Sequence, residues 1–261
     1  MQFGMPTLIE FKNLIESAAL CEELGLDFVE LNMNLPQYQV ESIGKIRELL
    51  DISKKHHIYY TIHLDENMNA CDFNSLVANA WLDTVRSTIQ IAKKLQVPIL
   101  NMHLNNGVYF TLPQKRVYLF EEYKEAYLLK LAKFRDICEK EIGDDNILIS
   151  IENTDGYISF QKDGIELLLE SRVFSLTWDI GHSHSAGKAD EVYILDKIDR
   201  LKHFHIHDAI GKRNHLTLGS GEIDLDSRLE LAKRIECRCV VETKTIEALR
   251  ESIGWLKKMK W

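Results

Sequence analysis

No stretch of this chain approaches the roughly 18 consecutive apolar residues that a membrane-spanning helix needs, so no span is expected. The opening "MQFGMPTLIEF" lacks the basic and apolar segments of a secretory signal, and no export is expected. Paired cysteines are missing too. The chain has five cysteines, an odd number, none spaced as C-x-x-C, and Cys237 and Cys239 lie two apart in an expected strand. That pattern excludes a disulfide framework and points to a reducing, cytoplasmic compartment. Positive charge is also in deficit: 32 Lys and Arg face 40 Asp and Glu, for a net charge of −8. A broad electrostatic grip on nucleic acid is therefore disfavoured, although a local basic patch would survive that balance. No Gly-rich phosphate turn follows an early strand, as an open doubly wound sheet would require.

What is present is alternation. Short β-type runs, "MQFGM", "LDFVEL", "IYYTIH", "VPILNMH", "NILISIE", "FSLTWD", "LKHFHIH" and "CRCVVE", are separated by stretches of helical periodicity. Thr7 and Glu10 read as a capping box opening a first helix that Gly25 ends. Further helices are expected near 40–55, 73–95, 116–142, 163–171, 189–198, 225–234 and 246–259. Eight parallel strand-helix units in 261 residues predict one α/β domain over 1–261, a closed (β/α)8 TIM barrel. A chain of this length buries roughly 70–75% of its unfolded surface and needs no staples.

Ionisable residues collect where the expected strands end. Glu30, His63, His103, Glu152, Asp179, His205 with His207, and Glu242 close strands two to eight. This is the face on which barrel enzymes build their sites, because the strands converge there. A lone acid at a strand end is more often a helix-cap partner or a surface charge, and His203 reads as a satisfied core histidine. His56 and His57 read as solvated residues of the opposite face, and His184 as a loop residue. Glu152, Asp179, His205 and Glu242 taken together resist such readings. Three carboxylates in one pocket repel each other unless a cation sits among them. Oxygen-rich ligation with one imidazole suits Mn, Mg or Co, and Zn if more histidines join. His182 and His215 add neighbours after strands six and seven.

The segments "FVELN", "ILNMH", "SIENTDG", "LTWDIGHSHSAG", "FHIHDAIG", "HLTLGSGEID" and "CVVET" give nearly the whole chain a resemblance to the xylose isomerase-like TIM-barrel superfamily. That superfamily includes sugar and sugar-phosphate isomerases and epimerases, and apurinic endonucleases of the endonuclease IV type (AP endonuclease family 2). In the epimerase branch, the resemblance implies one divalent metal on Glu152, Asp179, His205 and Glu242. Glu152 and Glu242 would then exchange a substrate proton through an enediolate, and His182 would contact a substrate oxygen. His63 and His103 would line the same pocket.

In the endonuclease branch, it implies a trinuclear zinc cluster that adds His63, His103, His182 and His215. The ninth ligand there, an Asp, is Arg213 here, and the loop "NLPQYQVESIG" lacks the basic and aromatic residues such nucleases insert into DNA. Glu30 and "LGSGEID" lean to the sugar branch, and Arg213 suits a substrate phosphate, carboxylate or hydroxyl. The expected partner is thus a small polyol, ketose or sugar phosphate, met by Glu30, His63, His103, Arg213 and His215. A multi-zinc phosphodiesterase is the alternative. A homodimer stays open, since no apolar helix face is distinctive enough to name.

Overall fold

The computed structural model describes all 261 residues. Eight parallel strands close into a barrel: β1 (Gln2–Pro6), β2 (Phe28–Asn32), β3 (Tyr59–His63), β4 (Ile99–His103), β5 (Leu148–Glu152), β6 (Phe174–Asp179), β7 (Leu201–Ile206) and β8 (Arg238–Val241). Each strand pairs with its sequence neighbours, and β8 pairs with β1 to complete the ring. Closure leaves no edge of the barrel sheet open.

The helices outside carry the patterning that puts them there. In Ser75–Leu95, Ala78, Leu82, Val85, Ile89 and Ala92 are buried at steps of three and four, the spacing of one helix face. Lys124–Ile142 repeats the rule with Tyr127, Leu131, Phe134 and Cys138. All five cysteines are buried and free, as their spacing required. No helix is long and apolar enough to cross a membrane.

Several local expectations are corrected. The first helix begins at Leu14, not near Thr7. Asn13 caps it by accepting the Glu16 N–H at 3.1 Å, while the Thr7 hydroxyl accepts the Asn32 N–H at 3.0 Å and ties β1 to β2. Glu10 accepts the Ile246 N–H at 2.6 Å and so serves the last helix rather than the first. The helix expected from 116 begins instead as a hairpin, Tyr109–Thr111 with Arg116–Tyr118, and turns helical only after Tyr118. A second hairpin, Asp208–Ile210 with Arg213–Leu216, follows β7. His56 is not solvated: it is buried, with Nδ1 2.7 Å from Glu22 Oε2. His184 lies in the short helix Ile180–Ser185 and contacts Glu222 Oε1 at 2.9 Å.

Side chains two apart on a strand share a face, and this sorts the barrel interior into layers. The lower layer holds the Phe28 ring. Gly4 makes room for it, since a Cβ there would lie 2.3 Å from Phe28 Cε2. Above it a polar layer crosses the barrel: Thr177 Oγ1 donates to Asn101 Oδ1 at 2.6 Å, with Ser150 Oγ 2.7 Å away. Above that stand the residues at the carboxyl ends.

Candidate metal centre

The topmost interior positions of four consecutive strands carry Glu152, Asp179, His205 and, one residue beyond β8, Glu242. One ligand atom from each lies within 4.8 Å of the other three. His205 Nδ1 is 3.2 Å from Glu152 Oε1 and 3.1 Å from Glu242 Oε2, yet neither His205 Nδ1 nor Glu242 Oε2 has a partner in hydrogen-bond geometry. Donor atoms that converge without bonding one another are what a cation's ligands look like. The set is also oxygen-rich with one imidazole, so the residues fit a divalent metal.

Electrostatics points the same way. Burial alone would raise the Glu152 carboxyl, but the His205 and His103 rings outweigh it and hold Glu152 well below the usual carboxylate range. Glu242 is likewise raised by burial and brought down further by His205, then by Lys244, whose Nζ lies 2.8 Å from Oε1. Burial would lower His205, yet Glu152, Glu30 and Glu242 together hold it well above an ordinary imidazole. The cluster therefore demands positive charge at its centre. A proton on His205 supplies one unit, and a dication among the same atoms supplies two.

Glu30 lies on the inner side of this centre. Its Oε1 is 2.8 Å from His205 Nε2, and its Oε2 meets the Thr61 hydroxyl at 2.8 Å and His203 Nε2 at 3.1 Å. It is 2% exposed, enclosed by the barrel rather than facing its mouth. Burial tends to raise its carboxyl, and His205 and His203 hold it low.

His63 and His103 stand on one flank. Their Nε2 atoms approach Glu152 Oε2 at 3.3 and 3.2 Å, and His63 Nδ1 donates to the Leu64 carbonyl at 2.7 Å. Burial would lower His63, but Glu152 outweighs it and raises the ring to about 9.

On the other flank, His182 Nδ1 lies 3.3 Å from Asp179 Oδ2 and 3.7 Å from Glu152 Oε1. His182 Nε2 faces His215 Nε2 at 3.3 Å, and His215 Nδ1 donates to the Glu242 carbonyl at 3.2 Å. Burial lowers His215 to about 4, so it is neutral, while Asp179 and Glu152 overcome burial to raise His182. Arg213 is exposed on the hairpin that carries His215.

Sequence reasoning missed the residues that hold these in place. The Asn153 side chain brackets the Asp179 backbone, accepting its N–H at 2.8 Å and donating to its carbonyl at 2.9 Å. Asn101 donates to Glu152 Oε2. Asp208 accepts four backbone N–H groups, from Ala209, Gly219, Gly221 and Ile223 at 2.8–3.2 Å. A Cβ on Gly221 would lie 2.3 Å from Asp208 Oδ1, so that glycine of "LGSGEID" leaves room for a buried carboxylate, while Gly219, at φ +80°, makes room for Trp255. The signals were present: the Asn after Glu152, the alternating polar residues of β4 and β6, and the Asp beside His207.

Three solved structures share this architecture. A D-tagatose 3-epimerase-like protein superposes with a TM-score of 0.80 at 22% identity, covering 99% of this chain and 96% of that one. The 3-keto-D-glucoside 4-epimerase of E. coli gives 0.78 at 16% identity, covering 99% of both chains. An IolI protein with a bound zinc atom gives 0.74 at 19%, covering 100% of this chain and 96% of that one. Identities this low speak to the fold alone. The family model described as xylose isomerase-like TIM barrel matches residues 18–259. Spanning nearly the whole chain, that match and the closed eight-stranded ring establish that the protein belongs to the xylose isomerase-like TIM barrel family.

Proposed function

We propose that this protein is a divalent-metal-dependent isomerase or epimerase that moves a proton beside the carbonyl of a ketose, sugar phosphate or related polyol. The observation that carries the reading is the convergence of Glu152, Asp179, His205 and Glu242 within 4.8 Å from four separate strands. One Mn, Mg, Co or Zn ion held by these four would act as a Lewis acid on adjacent substrate oxygens and acidify the carbon-bound proton.

The protein's own groups do the rest. Glu152 and Glu242 are carboxylates beside His205; the ionised one takes the carbon-bound proton, leaving an enediolate, and the other, carrying a proton in the working state, returns one to the opposite face. Glu30 backs the ligand by charge: its carboxylate lies 2.8 Å from His205 Nε2 without hydrogen-bond geometry, and Nδ1 faces the other three donors. That role replaces the substrate contact expected for Glu30. His182, 18% exposed on its side chain, stands at the rim and contacts a substrate oxygen. Arg213 and His215 approach the substrate from the hairpin, and Arg213 meets a phosphate, carboxylate or hydroxyl. His63 and His103 steady Glu152 and wall the pocket. The names of the tagatose and ketoglucoside epimerases, and the zinc of IolI, are consistent with this reading.

One feature favours a second reading, a multi-zinc phosphodiesterase. His63, His103 and Glu152 form one further three-donor group, and His182, His207 and His215 another. A metal count on protein purified without chelator, run beside a deuterium-exchange assay over ketoses and their phosphates, separates the two. One metal per chain with exchange of a carbon-bound proton is expected. Two or three metals with cleavage of an abasic-site duplex and no exchange would replace the isomerase.

A further inference from the structure

His207 follows the expected ligand His205 by two residues and lies one place beyond the end of β7. Both of its ring nitrogens are engaged. The His215 backbone N–H donates to Nδ1 at 2.8 Å, while the Asp208 carbonyl stands further off at 3.4 Å; the shorter contact takes the Nδ1 lone pair and leaves that nitrogen without a proton. The proton therefore sits on Nε2, which lies 2.9 Å from Asp179 Oδ1 and 3.0 Å from Oδ2. The ring is fully buried and stacks on His215 with centroids 4.1 Å apart. It also lies on the bare backbone of Gly181, where a Cβ would fall 1.9 Å from His207 Cε1. Nothing larger than glycine fits two residues after Asp179 while this imidazole stays.

We propose that His207 is a positioning residue, holding the Asp179 carboxylate toward the metal through Nε2 while Nδ1 fastens the hairpin that carries Arg213 and His215. A ring whose Nδ1 accepts and whose Nε2 donates has no lone pair to give a cation. His207 is thus a brace, and not a third ligand beside His182 and His215. Such partners behind a ligand commonly change metal affinity by about 10–100-fold. The inference rests on the metal-dependent reading above, and it adds a prediction that reading does not make: metal site and substrate hairpin are tied through opposite ends of one ring.

Two variants separate the two ends, because an Asn side chain reaches the position of Nδ1 and a Gln side chain that of Nε2. Binding of Mn²⁺ and Zn²⁺ to full-length protein is measured by calorimetry, and the hairpin is read independently by the rate of tryptic cleavage at the exposed Lys212 and Arg213. His207→Asn is expected to bind metal about 10–100-fold more weakly and to keep the hairpin protected. His207→Gln is expected to keep metal affinity within about threefold and to be nicked several times faster. Unchanged affinity in His207→Asn overturns the proposal, as does an equal loss in both variants, which would mark general loosening of the barrel. Loss of one whole equivalent of metal, at unchanged affinity for the rest, would make His207 a ligand and overturn it too. A wild-type protein that binds neither ion would fail the metal-dependent reading itself and take this one with it.

Discussion

The two flanks of the carboxylate cluster are built differently. On one side, His63 and His103 are the last residues of β3 and β4, so their positions are set by barrel registers such as Asn32↔His63 and His103↔Glu152. On the other, His182 sits in a six-residue helix and His215 on a hairpin with a register irregularity. Strands fix one flank directly. The other depends on side chains that fasten loops: Asn153 on the Asp179 backbone, His207 on His215, and Asp208 on four N–H groups. Under the proposed function, the proton-transfer groups stand on rigid strands and substrate recognition falls to elements held by a few replaceable bonds.

The largest effect should come from the centre, which both flanks share. Glu152→Gln keeps the shape but removes the base, and proton exchange should fall by about 10²–10⁴-fold. Exchange left near the wild-type rate would remove Glu152 from the chemistry. Next comes the support beneath. Glu30→Gln should weaken metal binding by about 10–100-fold in a competition assay with a chelating dye. It should leave KM for substrate at saturating metal nearly unchanged, whereas a substrate-contacting Glu30 would show the reverse.

The loop-held flank should respond in the opposite sense. Asp208→Asn turns an amide toward backbone N–H groups that need an acceptor, and should destabilise the fold by roughly 2 kcal/mol. With the hairpin loosened, KM should rise while metal affinity stays put; a variant that loses metal instead would abolish the distinction between the flanks.

The smallest effect is in pH dependence, read in metal-stripped protein. His63, raised from 6.5 to about 9 by Glu152, contributes stability that is complete below pH 6.5 and lost as pH climbs through 9. Glu152 and Glu242, held below 4.5, contribute stability present above that value and lost on acidification. Melting temperature in chelator should therefore decline from neutral toward pH 9. His63→Gln should make that decline shallower, since His205, also raised, would still supply part of it. Identical slopes would detach His63 from Glu152.

The same contrast explains what was legible in the sequence. Strand alternation and strand-end acids need only periodicity, so the barrel, Glu152, Asp179, His205 and Glu242 could be located before any coordinates. The hairpins could not. Asp208–Leu216 carries no clean alternation, and its conformation depends on Asp208 and His207 gripping backbone at a distance. Glu30 was found at the right strand end, but its direction was not visible. Whether a carboxylate faces the mouth or the back of a ligand depends on barrel curvature, which brings His203 and His205 across to meet it. The misplaced first cap has a similar cause: Thr7-x-x-Glu10 has the spacing of a capping box, but both side chains were claimed by other elements, Thr7 by β2 and Glu10 by the last helix.

From His203 to Asp208, one short run of backbone supplies in turn a floor for Glu30, the proposed metal donor, the proposed brace for Asp179 and the hub of a loop. Its inner-facing tasks fall on every second residue. A single insertion or deletion inside it would turn every later side chain to the opposite face and undo all of these duties at once. Added chain would be borne best at the exposed tip of the hairpin, Gly211 and Lys212, which lies outside the bonds that tie His215, Gly219, Gly221 and Ile223 back to His207 and Asp208.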